Sequence, residues 1–171
     1  MVLDEKYQVL LSASADLPER EQDGMRLCFE ILALARSIDA DCAAKLGTFS
    51  LSEAKFLLLF LLDQADKPLK PHRLATLAGV TRATVTGLLD GLERDGLVER
   101  HVNDTDRRSV DIALTPKGRT VIAEAGTVHR RWIASLFGHL STADVDCLMR
   151  LLPVLRARLS PRSGEFDALS Q

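Results

Sequence analysis

The chain has 171 residues, 46% of them hydrophobic and 27% charged, with a formal net charge of −2. That is enough apolar material for one core with extensions, and it excludes a disordered polyelectrolyte or a chain uniformly coated in basic charge. Three cysteines without a CxxC pair exclude a disulfide framework and a zinc knuckle, and the acidic start MVLDEKYQ has no apolar signal core, so a cytoplasmic, reducing setting is expected.

Taken in order, residues 1–18 form an N-terminal arm: the apolar patch Val9-Leu10-Leu11 makes a brief helix, with a soft joint before Pro18. From Glu19 to Leu46 the pattern is helical, with Met25, Cys28, Ile31, Leu32, Ala35, Ile38, Cys42 and Leu46 on one broad face. Gly47 ends this helix, and Ser50 with Glu53 forms a capping box for the next. Phe56, Leu57, Phe60 and Leu61 make that next helix nearly all apolar, so it belongs at the centre of the core, and it is far too short to span a bilayer.

After the linker Gln64–Leu69, Pro71 opens a short helix, where its missing N–H costs nothing. Gly79 closes that helix in the left-handed conformation, and Val80 fills the corner. Thr81 is an N-cap for a second helix, in which Val85, Leu88, Leu89 and Leu92 fall at i, i+3, i+4 and i+7. Its opposite face carries Arg82, Thr84, Thr86, Gly87 and Asp90, all small or hydrogen-bonding. Gly96 stops the helix, Leu97–Val102 begins an alternating run, and Val110, Ile112 and Leu114 share one face of a second run. The turn Asn103–Arg108 joins them, with Arg107 and Arg108 at its tip.

A helix-turn-helix followed by a basic hairpin is a winged helix. A slim polar helix face suits the major groove of duplex DNA, and a thin hairpin suits the minor groove. Thr115-Pro116 then caps a helix to about Leu136, and Gly138 breaks it. Ser141 with Asp144 caps a last helix carrying Val145, Leu148, Leu151, Leu152 and Leu155, in which Pro153 is expected to impose a kink. The expected fold is mainly α with a small β-hairpin wing (α+β). Its parts are an arm (1–18), a helical dimerisation region (19–49 and 115–159), a winged helix-turn-helix (50–114) and a flexible tail (160–171). The long first helix and the last two helices carry more apolar surface than one small lobe can hide, and a two-fold dimer is the natural solution.

LATLAGVTRATVTGLLDGLERDGLVER, followed by DRRSVDIALTPKG, resembles the multiple-antibiotic-resistance regulator (MarR) family of bacterial winged-helix transcription factors. The matching parts are Thr84-Val85-Thr86, Gly96-Leu97-Val98, Asp106-Arg107-Arg108 and Leu114-Thr115. The resemblance implies a homodimeric DNA-binding regulator, a repressor released from a palindromic operator by a small aromatic or phenolic effector. It also implies that Arg108 completes the family's Asp-x-Arg element as the minor-groove residue, with Arg107 on or near the phosphates.

From the residues themselves, Thr81, Arg82, Thr84 and Thr86 are candidate DNA contacts, with Arg82 the candidate base reader because guanidinium pairs bidentately with guanine. Arg94 is expected to meet backbone phosphate, or Glu93 and Asp90. Asp106, an acceptor only, is suited to orienting an arginine rather than to meeting phosphate. From Lys67 to Arg108, eight Lys/Arg stand against six Asp/Glu, leaving +2 on this segment and −4 elsewhere. His72 and His101 lie beside the DNA face, where phosphate is the expected neighbour rather than metal.

Two other readings stay open. The run Leu27-Cys28-Phe29 resembles the first helix of the family's organic-hydroperoxide sensors, which makes Cys28 a redox candidate, although Leu32 and Cys42 stand at positions that resemble those of the sensors' tyrosines. Cys28 and Cys42 share the apolar helix face, and burial as inert thiols is the competing expectation. The winged helix could also serve protein contacts alone. No GxSxG, P-loop, GxGxxG or metal-ligand spacing is present, so neither an enzyme nor a metal or cofactor is expected.

Overall fold

The computed structural model describes residues 4–102 and 110–159. Contacts group the chain into two compact units, Met1–His129 and Arg130–Gln171. In the first unit the order is α1 (Glu5–Ser12), α2 (Glu19–Gly47), α3 (Glu53–Asp63), α4 (Pro71–Ala78), α5 (Arg82–Arg94), β1 (Val98–Val102), β2 (Val110–Leu114) and the first part of α6 (Pro116–Leu136). The second unit holds the end of α6, in which Trp132 is buried, and α7 (Thr142–Leu159).

The core of the first unit is built on α3, as its composition requires. Phe56, Leu58, Leu59 and Leu62 are buried there, and α3 touches α2, α4, α5 and β2. Leu57 and Phe60, on the other side of α3, remain 37% exposed. Leu74 of α4, Val85, Leu89 and Leu92 of α5, and Ile112 of β2 are almost wholly buried. Leu88 is only half-buried, at the edge of the α5 seam. Burying one such side chain fully stabilises the fold by roughly 1.5–3 kcal/mol, so this seam fixes α5 firmly against the lobe.

β1 and β2 pair antiparallel, with Val98 opposite Leu114 and Val102 opposite Val110. The linker takes part as well: Leu69 exchanges both backbone hydrogen bonds with Ile112, at 3.0 and 2.9 Å. Leu69 thus forms a short third rung on the far side of β2, which the linker reading of Gln64–Leu69 did not anticipate.

Several local expectations are corrected. The cap of α3 is Ser52, whose hydroxyl accepts from Lys55 N at 3.3 Å. Ser50 instead takes the left-handed conformation (φ 58°), while α2 ends at Gly47 as expected. Val80 does not fill its corner but is 39% exposed. α7 runs from Thr142 to Leu159 with Pro153 inside it. The box at Ser141 and Asp144 forms in full: Ser141 N donates to the Asp144 carboxylate (3.3 Å) and Asp144 N donates to Ser141 Oγ (3.2 Å).

Candidate nucleic-acid interface

Gly79 (φ 67°) reverses the chain between α4 and α5, where a Cβ would be strained. Thr81 then caps α5, its hydroxyl accepting from Thr84 N at 3.1 Å. The buried seam through Val85, Leu89 and Leu92 turns Arg82, Thr84, Thr86, Gly87, Asp90 and Arg94 outward, and all six are exposed or nearly so.

The three threonines are less available as donors than their number suggests. The Thr86 hydroxyl donates to Arg82 O (3.0 Å), and the Thr81 and Thr84 hydroxyls bond each other at 2.8 Å. In this arrangement one hydroxyl hydrogen of the three is left for an outside acceptor, and several lone pairs remain. Phosphate oxygens accept only, whereas adenine N6 and cytosine N4 donate, so the threonine face suits base edges better than phosphates. Neither Arg82 nor Arg94 has an ion-pair partner among the described residues, which leaves both guanidinium groups available to an anion.

The expected pairing of Arg94 with Asp90 and Glu93 does not occur. Arg100, on β1, takes both: its Nη2 lies 2.5 Å from the Asp90 carboxylate and its Nη1 3.4 Å from Glu93. Asp90 and Arg94 stand at i and i+4, a spacing that allows a pair, but the Asp90 and Glu93 carboxylates are taken by Arg100 from β1. The single positive charge of Arg100 thereby offsets one of the two negative charges on the outward side of α5. Sequence reasoning missed Arg100, and only the alternation of β1, with an arginine ten residues from Asp90, could have hinted at it. His101 lies 3.1 Å from Glu99, its neighbour on the same strand face.

Behind α5 a second set of contacts fixes the entry to the hairpin. Gly96 (φ 71°) ends α5, and Thr115 N donates to Leu97 O at 3.1 Å. The Thr115 hydroxyl donates to Gly96 O (2.7 Å) and accepts from Gly118 N (2.9 Å), so it caps α6 while holding the turn. A Cβ on Gly118 would lie 2.0 Å from Leu97 O, which makes glycine obligatory there. Lys117 donates to Asp95 O at 2.8 Å, and Lys55 of α3 donates to the Asp95 carboxylate at 2.7 Å. That hydrogen bond holds the Asp95 carboxyl below its ordinary value. Asp106, Arg107 and Arg108 fall outside the described residues.

The cysteines divide. Cys42 is buried, and burial, reinforced by Glu53, Asp39 and Asp41, pushes its thiol up, so it is a poor nucleophile. Cys28 is exposed, contrary to the expectation of a buried pair. Tyr7 of α1 stacks on the neighbouring Phe29, with ring centroids 4.7 Å apart. Among the described residues no group of three or more His, Cys, Asp or Glu is placed to hold a metal ion, and no helix is long and apolar enough to cross a membrane.

The family model described as MarR family matches residues 51–110, from two residues before α3 to the first residue of β2. Over 111 residues the chain is 40% identical to the HTH-type transcriptional repressor YetL of Bacillus subtilis (strain 168), covering 64% of this chain and 66% of that protein. It is 31% identical over 123 residues to the uncharacterized HTH-type transcriptional regulator YhbI of the same organism, covering 70% of this chain and 79% of that one. Among solved structures, the transcriptional repressor CouR bound to a 23-mer DNA duplex matches with a TM-score of 0.62 at 28% identity, over 76% of this chain and 92% of that one. With the helix-turn-helix, the hairpin and the outward polar face of α5 in place, the chain belongs to the MarR family of winged-helix DNA-binding transcriptional regulators, which are not enzymes.

Proposed function

We propose that this regulator is a cytoplasmic homodimeric repressor that binds a palindromic operator through α5 and the wing, and leaves it when a small aromatic or phenolic ligand binds. The observation that carries the DNA-binding part is the outward face of α5. There a buried apolar seam presents Arg82 without an ion-pair partner among the described residues, beside hydroxyl acceptors suited to base edges. In this reading Arg82 reads a base, Thr81, Thr84 and Thr86 accept from base amino groups, and Arg94 and Arg107 meet phosphates. Asp106 orients Arg108, which enters the minor groove.

The proposed dimer is supported by α7, which has no buried residue and leaves Leu151, Leu152, Val154 and Leu155 in solvent. A second copy of the chain is the partner that symmetry supplies. Ligand release rests on the family relationship together with the half-exposed Leu57 and Phe60 on α3. Such a ligand acts only by binding the DNA-incompetent conformation more tightly, by about 1.4 kcal/mol for each tenfold shift.

Arg108→Ala is expected to weaken operator binding more than tenfold while the protein still sediments as a dimer. A gel-shift titration at fixed salt checks it, and unchanged affinity would remove Arg108 from the interface.

A second reading, oxidant sensing through Cys28, is favoured by the exposure of that thiol. Loss of DNA binding after organic hydroperoxide treatment, absent in Cys28→Ser, would support it. Unaltered binding by the treated wild type would end it.

A further inference from the structure

Gly87 is a helical glycine for which the fold supplies no reason. It sits in the middle of α5, exposed, with ordinary helical backbone, and a Cβ built there would meet nothing within 4 Å. Glycine is the least favourable residue in a helix interior after proline, so an alanine at this position would hold α5 better. The neighbouring glycines have evident causes. Gly79 and Gly96 take positive φ, a Cβ on Gly118 would strike Leu97 O, and one on Gly91 would press on the Lys55 side chain at 3.2 Å. Gly24 of α2 is open in the same way, but it lies on a helix with no part in reading bases.

Position decides what Gly87 can do. At 100° per residue it lies about 140–160° around α5 from Val85, Leu89 and Leu92, almost opposite the buried seam. It is therefore at the crest of the helix, flanked by Thr84 and Thr86, where the helix comes nearest to whatever it docks against. A residue without a side chain is used where backbone must approach a ligand closely. We propose that Gly87 is a positioning residue of the DNA interface: its missing side chain lets α5 seat deeply enough for Arg82, Thr84 and Thr86 to reach base edges. The proposal rests on the reading of α5 as the helix that enters the major groove. It predicts opposite signs for two quantities that a purely structural residue would move together.

The test uses the full-length protein and the tightest-binding duplex that the wild type selects from a randomised library. Gly87→Ala and Arg82→Ala are compared with wild type for melting temperature and for affinity at fixed salt. Gly87→Ala is expected to melt about 2–4 °C higher, to bind the selected duplex at least tenfold more weakly, and to lose less on an unrelated duplex. If Gly87→Ala melts higher and binds within twofold of wild type while Arg82→Ala is weakened, the Gly87 proposal is overturned and the groove reading stands. If neither substitution alters affinity, the groove reading falls and takes this proposal with it. A lower melting temperature for Gly87→Ala would also overturn it, because the fold itself would then require the glycine.

Discussion

Arg100 shows how much of the outward face of α5, the proposed DNA-reading helix, is set by a residue that does not belong to it. Asp90 and Glu93 lie on the outward side of α5, where unpaired carboxylates would repel phosphate, and the Arg100 guanidinium reaches both. The pairs are partly solvent-exposed, so their contribution to folding is small, at most about 1 kcal/mol. In the proposed interface their effect on a polyanion is larger in consequence, because the charge they offset lies on the outward face of α5. Arg100→Gln is expected to weaken DNA binding roughly threefold to tenfold with little change in melting, and Asp90→Asn added to it should restore much of the loss. A gel-shift series checks both; equal loss in the single and double variants would show that Arg100 acts directly on DNA. The residue was not legible in the sequence because its partners lie on a different element, and spacing along one helix favours Arg94 for the same carboxylates. The 3.6-residue period made Gly87 and Asp90 legible as lying away from Val85, Leu89 and Leu92, whereas Arg82 falls only about 20° around the helix from Leu89 and is exposed as the first residue of α5. What period alone does not show is that Thr86 spends its hydrogen on Arg82 O and that Thr81 and Thr84 bond each other.

At the scale of elements, the boundaries followed the residues with strong backbone preferences. Pro71, Gly79, Gly96, Pro116 and the Ser141/Asp144 box each sit where α4, α5, α6 and α7 start or stop. At the α2–α3 turn Ser50 and Glu53 have the spacing of a capping box, and only the backbone distinguishes the left-handed Ser50 from Ser52, which caps α3. Leu69 escaped notice because a single strand residue has no alternation to reveal it. The start of α6 is the joint with the tightest requirement. Thr115, Gly118 and Lys117 hold the turn at Asp95–Leu97, the exit of α5 and the entry to the hairpin. Gly118→Ala must displace Leu97 O or the helix, and it should destabilise the protein by about 1–3 kcal/mol, seen as a lower urea midpoint with an unchanged slope. A midpoint equal to wild type would show that the joint yields without cost.

For the whole molecule, the outstanding fact is how little of α2 and α7 is covered. In α2 only Cys42 and Leu46 are buried, while Leu27, Ile31, Leu32 and Leu34 stay in solvent. In α7 even Leu152 is 50% exposed. Apolar patches of this extent mark interaction surfaces in a soluble chain, and a symmetric pair would also give the protein two recognition helices. Leu152→Glu is therefore expected to shift sedimentation from dimer to monomer and to lower operator affinity with it. A variant that remains dimeric would place the interface elsewhere. The claim on which the account turns is that two copies of α5 and its hairpin read one duplex with two-fold symmetry. Footprinting the purified protein on its selected duplex tests this most directly. The expected result is two protected half-sites related by a dyad, with centres about 10 base pairs apart or a multiple of that, and two chains bound per site. A single asymmetric footprint from one chain, or no protection on any duplex in dilute buffer, would contradict it.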